Sequence, residues 1–214
     1  MATHGPIGLG LMGMFTCHEN KRQLKQFCTG LTAIHGANVS EEQAFEAMRA
    51  AIDAGCTVWN GGLFYGSPTN NSLTLLRKYF EKYPEDAAKV EINIKGCTVP
   101  GQMMPDGSRE GVMRDVKKVL ELLPSNIKKI DMFEPARIDK SVPLEETINA
   151  LKECQENGWI GAVALSEASA ASIRKAHSIV KIVAVEYEVS LWMTDAFTNG
   201  IAETCAELGI PIHA

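Results

Sequence analysis

Short apolar runs alternate with helical patterns from one end of this sequence to the other, and no other feature limits the possible folds as much. "PIGLGLM" (6–12) has the composition of a strand. "SEEQAFEAMRAAIDAG" (40–55) then sets Ala44, Met48, Ala51 and Ile52 on one helical face. Ser40 and Gln43 form a capping box at its start, and Gly55 is the stop. "CTVWN" (56–60) is the next strand, a helix over about 72–83 halts at Pro84, and "VEINIKG" (90–96) follows. A helix near 109–123 carries Val112, Val116, Val119 and Leu123 at helical spacing. "KIDMFEPAR" (129–137) leads to a helix that opens at Pro143 and closes at Gly158. "IGAVALSE" (160–167), a helix near 169–179, "IVAVEYEVSLW" (182–192), a helix near 196–208 and "IPIHA" (210–214) complete the series.

That series predicts seven strands and six intervening helices, with no linker or low-complexity tract among them. Such alternation gives an α/β fold with a parallel sheet and right-handed crossovers, either doubly wound or closed as a (β/α)8 barrel. A barrel has an eighth strand and typically ~250 residues. A chain of 214 residues with seven strands is therefore expected to be an incomplete barrel or an open sheet. The apolar share of 45% is enough for a sizeable core, and 214 residues fit one large domain or two small ones. The segment 15–39, "FTCHENKRQLKQFCTGLTAIHGANV", is the misfit: basic, polar and long for a connection between a strand and a helix. It is expected to be an atypical insertion.

The charge of −5, without a long basic run, argues against nucleic acid or an anionic membrane surface as the main partner. No apolar stretch reaches the ~18 residues of a membrane span, and "MATHGPIGLGLMGMF" lacks the features of a signal peptide. Cys17, Cys28, Cys56, Cys97, Cys154 and Cys205 are scattered without framework spacing, which predicts reduced thiols and a cytoplasmic setting. Cys17, His18, Cys28 and His35 do not match structural-zinc spacings, and no metal is expected. "GLGLMG" (8–13) fits G-x-G-x-x-G. A dinucleotide-binding Rossmann unit also needs an acidic residue about 20 positions on, and none lies between Glu19 and Glu41. A glycine-rich barrel strand is the simpler reading, and an open-sheet Rossmann dehydrogenase stays as an alternative.

Side-chain alternation within the strands carries the chemistry. Successive residues of a strand face opposite sides. One face of 91–95 therefore holds Glu91, Asn93 and Lys95, and the other holds Ile92 and Ile94. In 132–136 Met132, Glu134 and Ala136 share a face, and in 56–60 Cys56, Val58 and Asn60 do. Asn60, Tyr65, Lys95 and Glu134 each fall at or just after a strand's C-terminal end, where α/β barrels keep their sites. A phenol titrates near ~10, too high for ready acid–base work at neutral pH. A lysine ammonium beside it stabilises the phenolate and lowers that value. Tyr65 then becomes a proton donor to a carbonyl oxygen while a hydride reaches the carbon. A nicotinamide cofactor is the natural hydride source.

"AIDAGCTVWNGGLFYG", "INIKG", "IDMFEPARID", "IGAVALSEASAASIRKAH", "VAVEYEVSLW" and "GIAETCAELGIPI" together resemble the aldo-keto reductases, and within them the fungal pyridoxal reductase group. The resemblance covers 1–14 and about 40–214. It implies a TIM barrel that binds NADPH without a Rossmann fold and reduces an aldehyde, pyridoxal to pyridoxine in that group. It also implies an Asp, a Tyr, a Lys and a His in catalysis. Tyr65 matches the Tyr and Lys95 the Lys, while Asn60 takes the place of the Asp and Ala136 that of the His. An amide accepts a hydrogen bond from Lys95 but cannot neutralise it. Glu134, facing the same way as Ala136, is therefore expected to be the charge partner of Lys95.

For the cofactor, the resemblance implies that Ser166 bonds the nicotinamide amide. Glu167 and Glu186 stand where many relatives have Asn and Gln. Tyr187 and Val189 look exchanged relative to that group, which puts Tyr187 on the opposite face of its strand. The chain ends at "IPIHA", one residue before the Tyr that the family stacks on the nicotinamide. On this resemblance it lacks the stacking ring, the 2′-phosphate clamp and the closing strand. The second expectation is accordingly a truncated, catalytically inactive remnant of that family or a partner-binding protein. The expected ligands are a small aldehyde and NADPH, and the oligomeric state is left open.

Overall fold

Each element expected from residue 40 onward forms in the computed structural model, which describes residues 9–10 and 40–214. The segment 15–39, the Cys17, His18, Cys28 and His35 group, and "GLGLMG" apart from Leu9–Gly10 lie outside the described residues. In chain order the elements begin β1 (Leu9–Gly10), α1 (Glu41–Asp53), β2 (Val58–Gly62) and α2 (Ser72–Lys82). Next come β3 (Glu91–Gly96), α3 (Arg109–Leu122), β4 (Met132–Pro135) and α4 (Leu144–Glu156). The series closes with β5 (Ala162–Ser166), α5 (Ala170–His177), β6 (Ile182–Glu186), α6 (Ile201–Leu208) and β7 (Ile212–His213). The described residues fall into two compact units, one of residues up to Ile94 with Lys118–Ile130, the other of Lys95–Lys117 with Asp131–Ala214.

In the first unit β1 and β2 pair in parallel, with Leu9 opposite Trp59, and the Glu91 N–H donates to the Thr57 carbonyl (2.8 Å) where β3 begins. The capping box of α1 forms as its sequence predicts: Ser40 accepts from the Gln43 N–H, and the Gln43 side chain accepts from the Ser40 N–H. Glu41 and Glu42 occupy the first turn, where carboxylates suit the helix dipole. The helix buries Ala44, Phe45, Met48 and Ala51, while Ile52 is half-buried. Phe45 takes that place because its ring meets Tyr79 edge-on, 5.4 Å between centroids. Tyr79 in turn meets Trp59 at 5.5 Å, and Trp59 stacks on Phe80 at 5.9 Å. Each such pair contributes about 0.5–1.5 kcal/mol beyond its buried area. The one polar atom of Trp59 is satisfied, since its indole N–H donates to the Cys56 carbonyl (2.8 Å).

In the second unit β4, β5, β6 and β7 follow one another in chain order, all parallel. Gly96, the last residue of β3, accepts from the Ala136 N–H (2.9 Å). Phe133, Ile148, Leu151, Val163, Leu165, Ile173 and Val185 are fully buried and form the apolar filling of this unit. Two glycines are required by close approach. A Cβ on Gly96 would come within 2.5 Å of the Phe133 ring, and one on Gly161 within 2.6 Å of the Asp131 carbonyl oxygen. At Gly161 the obstacle is backbone, which a rotamer change cannot move aside.

Two boundaries differ from the sequence expectation. The run 182–192 is strand only as far as Glu186. Beyond it the Ser190 hydroxyl accepts from the N–H groups of Trp192 and Met193, and Ser190 and Met193 exchange backbone hydrogen bonds, so the chain turns. The last helix starts at Ile201 rather than near 196, because Gly200 sits at φ +82° and interrupts right-handed helix. Among the described residues no helix is long and apolar enough to cross a membrane.

Candidate active site

Tyr65 lies in the turn between β2 and α2 and is 4% exposed. Its backbone is held on both sides: its N–H donates to the Gly62 carbonyl (3.2 Å), and its carbonyl accepts from the Ser72 N–H (3.1 Å). Ser72 is itself buried at the first turn of α2. Its hydroxyl donates to the Gly62 carbonyl (2.8 Å) and accepts from the Gly62 N–H (3.1 Å). The ring packs over Gly62, where a Cβ would stand 3.1 Å from it, and meets Phe64 edge-on at 4.9 Å. Asn60 is half-buried within β2.

Asn71 fixes the far end of the Tyr65 turn. Its side-chain oxygen accepts from the N–H groups of Leu73 (3.1 Å) and Thr74 (3.0 Å), and its amide donates to the Ser67 carbonyl (3.1 Å). Asn71→Ala removes the cap and leaves buried donors unmatched. It is expected to destabilise the protein by about 1–2 kcal/mol, measured by chemical denaturation.

Lys95, in the second unit, is 4% exposed, and its ammonium faces two carboxylates. Glu134 on β4 is completely buried, with its Oε1 3.3 Å from Nζ. Glu186, at the end of β6, accepts a hydrogen bond from the same nitrogen, and its side chain is 28% exposed. Ser166 ends β5 in register with Glu186 and is buried. Its hydroxyl accepts from the Arg137 guanidinium at 3.4 Å. Glu167 follows at φ +51°, a left-handed conformation unusual for a side chain with a Cβ. Its N–H donates to the Glu186 carbonyl (2.9 Å), and its Oε1 accepts from the Glu188 N–H (2.9 Å). Cys97, just past Lys95, is likewise left-handed at φ +60°. Burial pushes its thiol well above the usual range, with the Asp115 carboxylate adding to the effect, so it is an inert group.

The structure therefore brings Lys95, Glu134 and Glu186 together and sets Ser166 and Glu167 beside Glu186 along the strand ends. Tyr187 leaves the strand, and its hydroxyl accepts from the Asn199 amide (3.1 Å). Sequence reasoning missed the Ser72–Asn71 clamp, Arg137, and the network that holds the turn after β3. In that network Arg114 donates to Asp115 (2.8 Å), Asp106 (2.8 Å) and the Thr98 carbonyl (2.6 Å), while Asp115 accepts from the Thr98 N–H (3.0 Å).

Asp139, after β4, ties two of these loops together. It accepts from the Gly107 N–H (3.0 Å) and from the N–H (2.8 Å) and hydroxyl (2.6 Å) of Ser141. The Gly107 backbone bond, then the Ser141 hydroxyl, hold its carboxyl below the usual range. A depressed folded-state pKa stabilises the protein above the unfolded value of about 3.9, and that contribution is lost as pH falls through the folded value. Asp139→Asn is expected to lower stability at neutral pH and to flatten its decline in the acid range, read from thermal midpoints against pH.

With this geometry in view, the comparisons with known proteins are specific. Residues 26–214 match the aldo/keto reductase family. The chain belongs to that family. A Schizosaccharomyces pombe protein named "Probable pyridoxal reductase 2" is 44% identical over 98% of this chain and 58% of its own length. A Glycine max protein named "Probable aldo-keto reductase 1" is 32% identical over 97% of this chain and 57% of its own length. The chain thus spans under three-fifths of these relatives. A crystal structure of a thermostable aldo-keto reductase in complex with the inhibitor epalrestat superposes with a TM-score of 0.72 at 20% identity, covering 96% of this chain and 66% of that one. The fold is the (β/α)8 barrel of the family over the part that this chain spans, and an open Rossmann sheet is excluded.

Proposed function

We propose that this chain carries the proton-transfer groups of an NADPH-dependent reductase that converts an aldehyde to its alcohol, with pyridoxal to pyridoxine the first substrate to test. The observation that carries this reading is the buried Lys95 held by carboxylates at strand C-terminal ends, in a chain of the aldo/keto reductase family. A lysine 4% exposed is costly to keep charged and is retained where its charge does work. The pyridoxal assignment rests on the name of the S. pombe relative and on the sequence resemblance.

In this reading Tyr65 gives the proton to the carbonyl oxygen, and Lys95 has the role that the sequence resemblance assigns to the family's lysine, a cation that stabilises a phenolate. The groups around Ser166 fit a nicotinamide carboxamide. A serine hydroxyl can donate to its oxygen, and carboxylates such as those of Glu167 and Glu186 accept from its NH2. The cofactor, when bound, supplies the hydride. Asn60 is uncharged, so the negative charge that balances Lys95 comes from glutamates.

The test is a fluorescence titration with NADPH, followed by NADPH oxidation assayed with pyridoxal and with an unrelated aldehyde. Tight binding and pyridoxal-dependent oxidation are expected. Absence of binding sinks the reductase reading and favours a partner-binding protein, for which pyridoxal should also leave the protein unaffected.

A further inference from the structure

We propose that the turn between β6 and α6 is a docking surface for a partner protein, and that the segment it takes is basic with apolar anchors. The stretch "LWMTDAF" (191–197) lies a few residues past the end of β6, within the second unit. Leu191 is 91% exposed, Trp192 89% and Phe197 69%, and Met193 also reaches the surface. A single exposed leucine is ordinary, whereas a tryptophan, a phenylalanine, a leucine and a methionine gathered on one turn mark an interaction site. Tryptophan is also among the residues that most often carry the binding energy of an interface.

The turn holds its shape without a partner. Ser190 closes its first half through the hydroxyl and backbone bonds to Trp192 and Met193. In the second half the Asp195 carbonyl accepts from the N–H groups of Thr198 (3.0 Å) and Asn199 (2.9 Å). Ala196 is buried and pins the stretch to the unit. The Asn199 amide donates to the Tyr187 hydroxyl (3.1 Å), which ties the end of the loop to its beginning. The Asn199 side-chain oxygen accepts from the Ile201 N–H (3.1 Å) and fixes the start of α6. Leu191, Trp192 and Phe197 are thus presented by a formed backbone, so docking has little further ordering cost.

Charge selects the partner. No lysine or arginine occurs from Ile182 to Ala214, whereas Glu186, Glu188, Asp195, Glu203 and Glu207 all do. Glu207 is paired with Arg174. Glu188, Asp195 and Glu203 are exposed, and among the described residues their carboxylates take no salt bridge. An apolar turn with uncompensated carboxylates nearby complements lysine or arginine set beside apolar anchors. The same carboxylates repel a second copy of this face, an anionic membrane and nucleic acid. This surface stands on its own observations and does not depend on the reductase reading.

Trp192 supplies the readout, because Trp59 is buried and Trp159 half-buried. The purified chain is titrated with three amphipathic peptides of equal length, built from leucine and lysine, leucine and glutamate, or serine and lysine. The leucine–lysine peptide is expected to bind, with tryptophan emission moving to the blue as the Trp192 ring leaves water. The other two are expected to bind about tenfold more weakly or worse. Equal binding of the glutamate peptide overturns the charge assignment, and equal binding of the serine peptide overturns the apolar anchoring. Trp192→Ser is expected to weaken the leucine–lysine peptide by about tenfold or more, and unchanged binding overturns the site. Trp192→Phe is expected to keep most of the affinity and lose the emission shift, and a shift that persists places docking elsewhere. Glu188→Gln combined with Asp195→Asn is expected to weaken binding several-fold and to flatten its dependence on salt. Dimerisation on sedimentation that Trp192→Ser abolishes makes a second copy the occupant and overturns the partner assignment. Tighter binding to phosphatidylserine vesicles than to the peptide overturns it in favour of a membrane. None of these measurements involves NADPH, so their failure leaves the reductase reading intact.

Discussion

Replacing Lys95 by Met is expected to destabilise the protein by about 3–5 kcal/mol, the range seen when one member of a buried ion pair is removed. Met fills a similar volume, so little of that loss is a packing defect. The cost arises because Glu134, fully buried, and Glu186 lose the ammonium they share and must either hold charge in a poorer medium or take up protons. The deficit should therefore shrink as pH falls, since acid supplies the protons that the vacated site demands. Lys95→Met combined with Glu186→Gln should recover part of the loss, because one source of charge is then gone as well. Urea denaturation of the parent and the two variants at neutral and mildly acidic pH measures these differences. A Lys95→Met variant as stable as the parent would show that the cluster is not buried in solution, and the assignment of Lys95 as a poised charge would fall with it.

The two-residue period of the strands made much of this site legible. It put Lys95 and Glu134 on inward faces, and the structure pairs them. The helix signals were as readable: Ser40 and Gln43 cap α1 as their spacing indicated, and Pro84 closes α2. What the sequence concealed depends on contacts between strands. Glu186 reaches Lys95 only because β6 stands in a register that sets it opposite Ser166, and nothing in "VAVEYEVSLW" states that register. In the same stretch the strand expected over 182–192 overshoots, because its alternation continues past Glu186, where the strand ends. The turn at Ser190 is made by one hydroxyl, a weak local signal against a strong periodic one. The Asn71–Ser72 clamp was available in principle, since Asn and Ser just before an apolar run mark a helix start. Its importance for Tyr65 appears only when the turn folds back and Ser72 meets Gly62.

Tyr65→Phe is expected to lower kcat/KM for aldehyde reduction by about 10²–10⁴-fold, the usual contribution of a positioned general acid. The substitution removes one oxygen and keeps the ring that packs over Gly62 and against Phe64. The backbone bonds to Gly62 and Ser72 do not involve the side chain, so the turn should keep its shape. NADPH affinity is therefore expected to stay near the parent's, and the defect should appear in kcat. That split distinguishes loss of a proton donor from general damage, which would weaken cofactor binding too. A control at the same turn sharpens the comparison. Gly62→Val adds bulk where even a Cβ would stand 3.1 Å from the Tyr65 ring, and should lower activity by displacing a phenol that is still present. If Tyr65→Phe retained full activity while Gly62→Val lost it, the turn would matter for shape alone and another group would have to supply the proton. If both lose activity and only Gly62→Val loses stability, the phenolic oxygen is the element that the buried turn exists to hold in place.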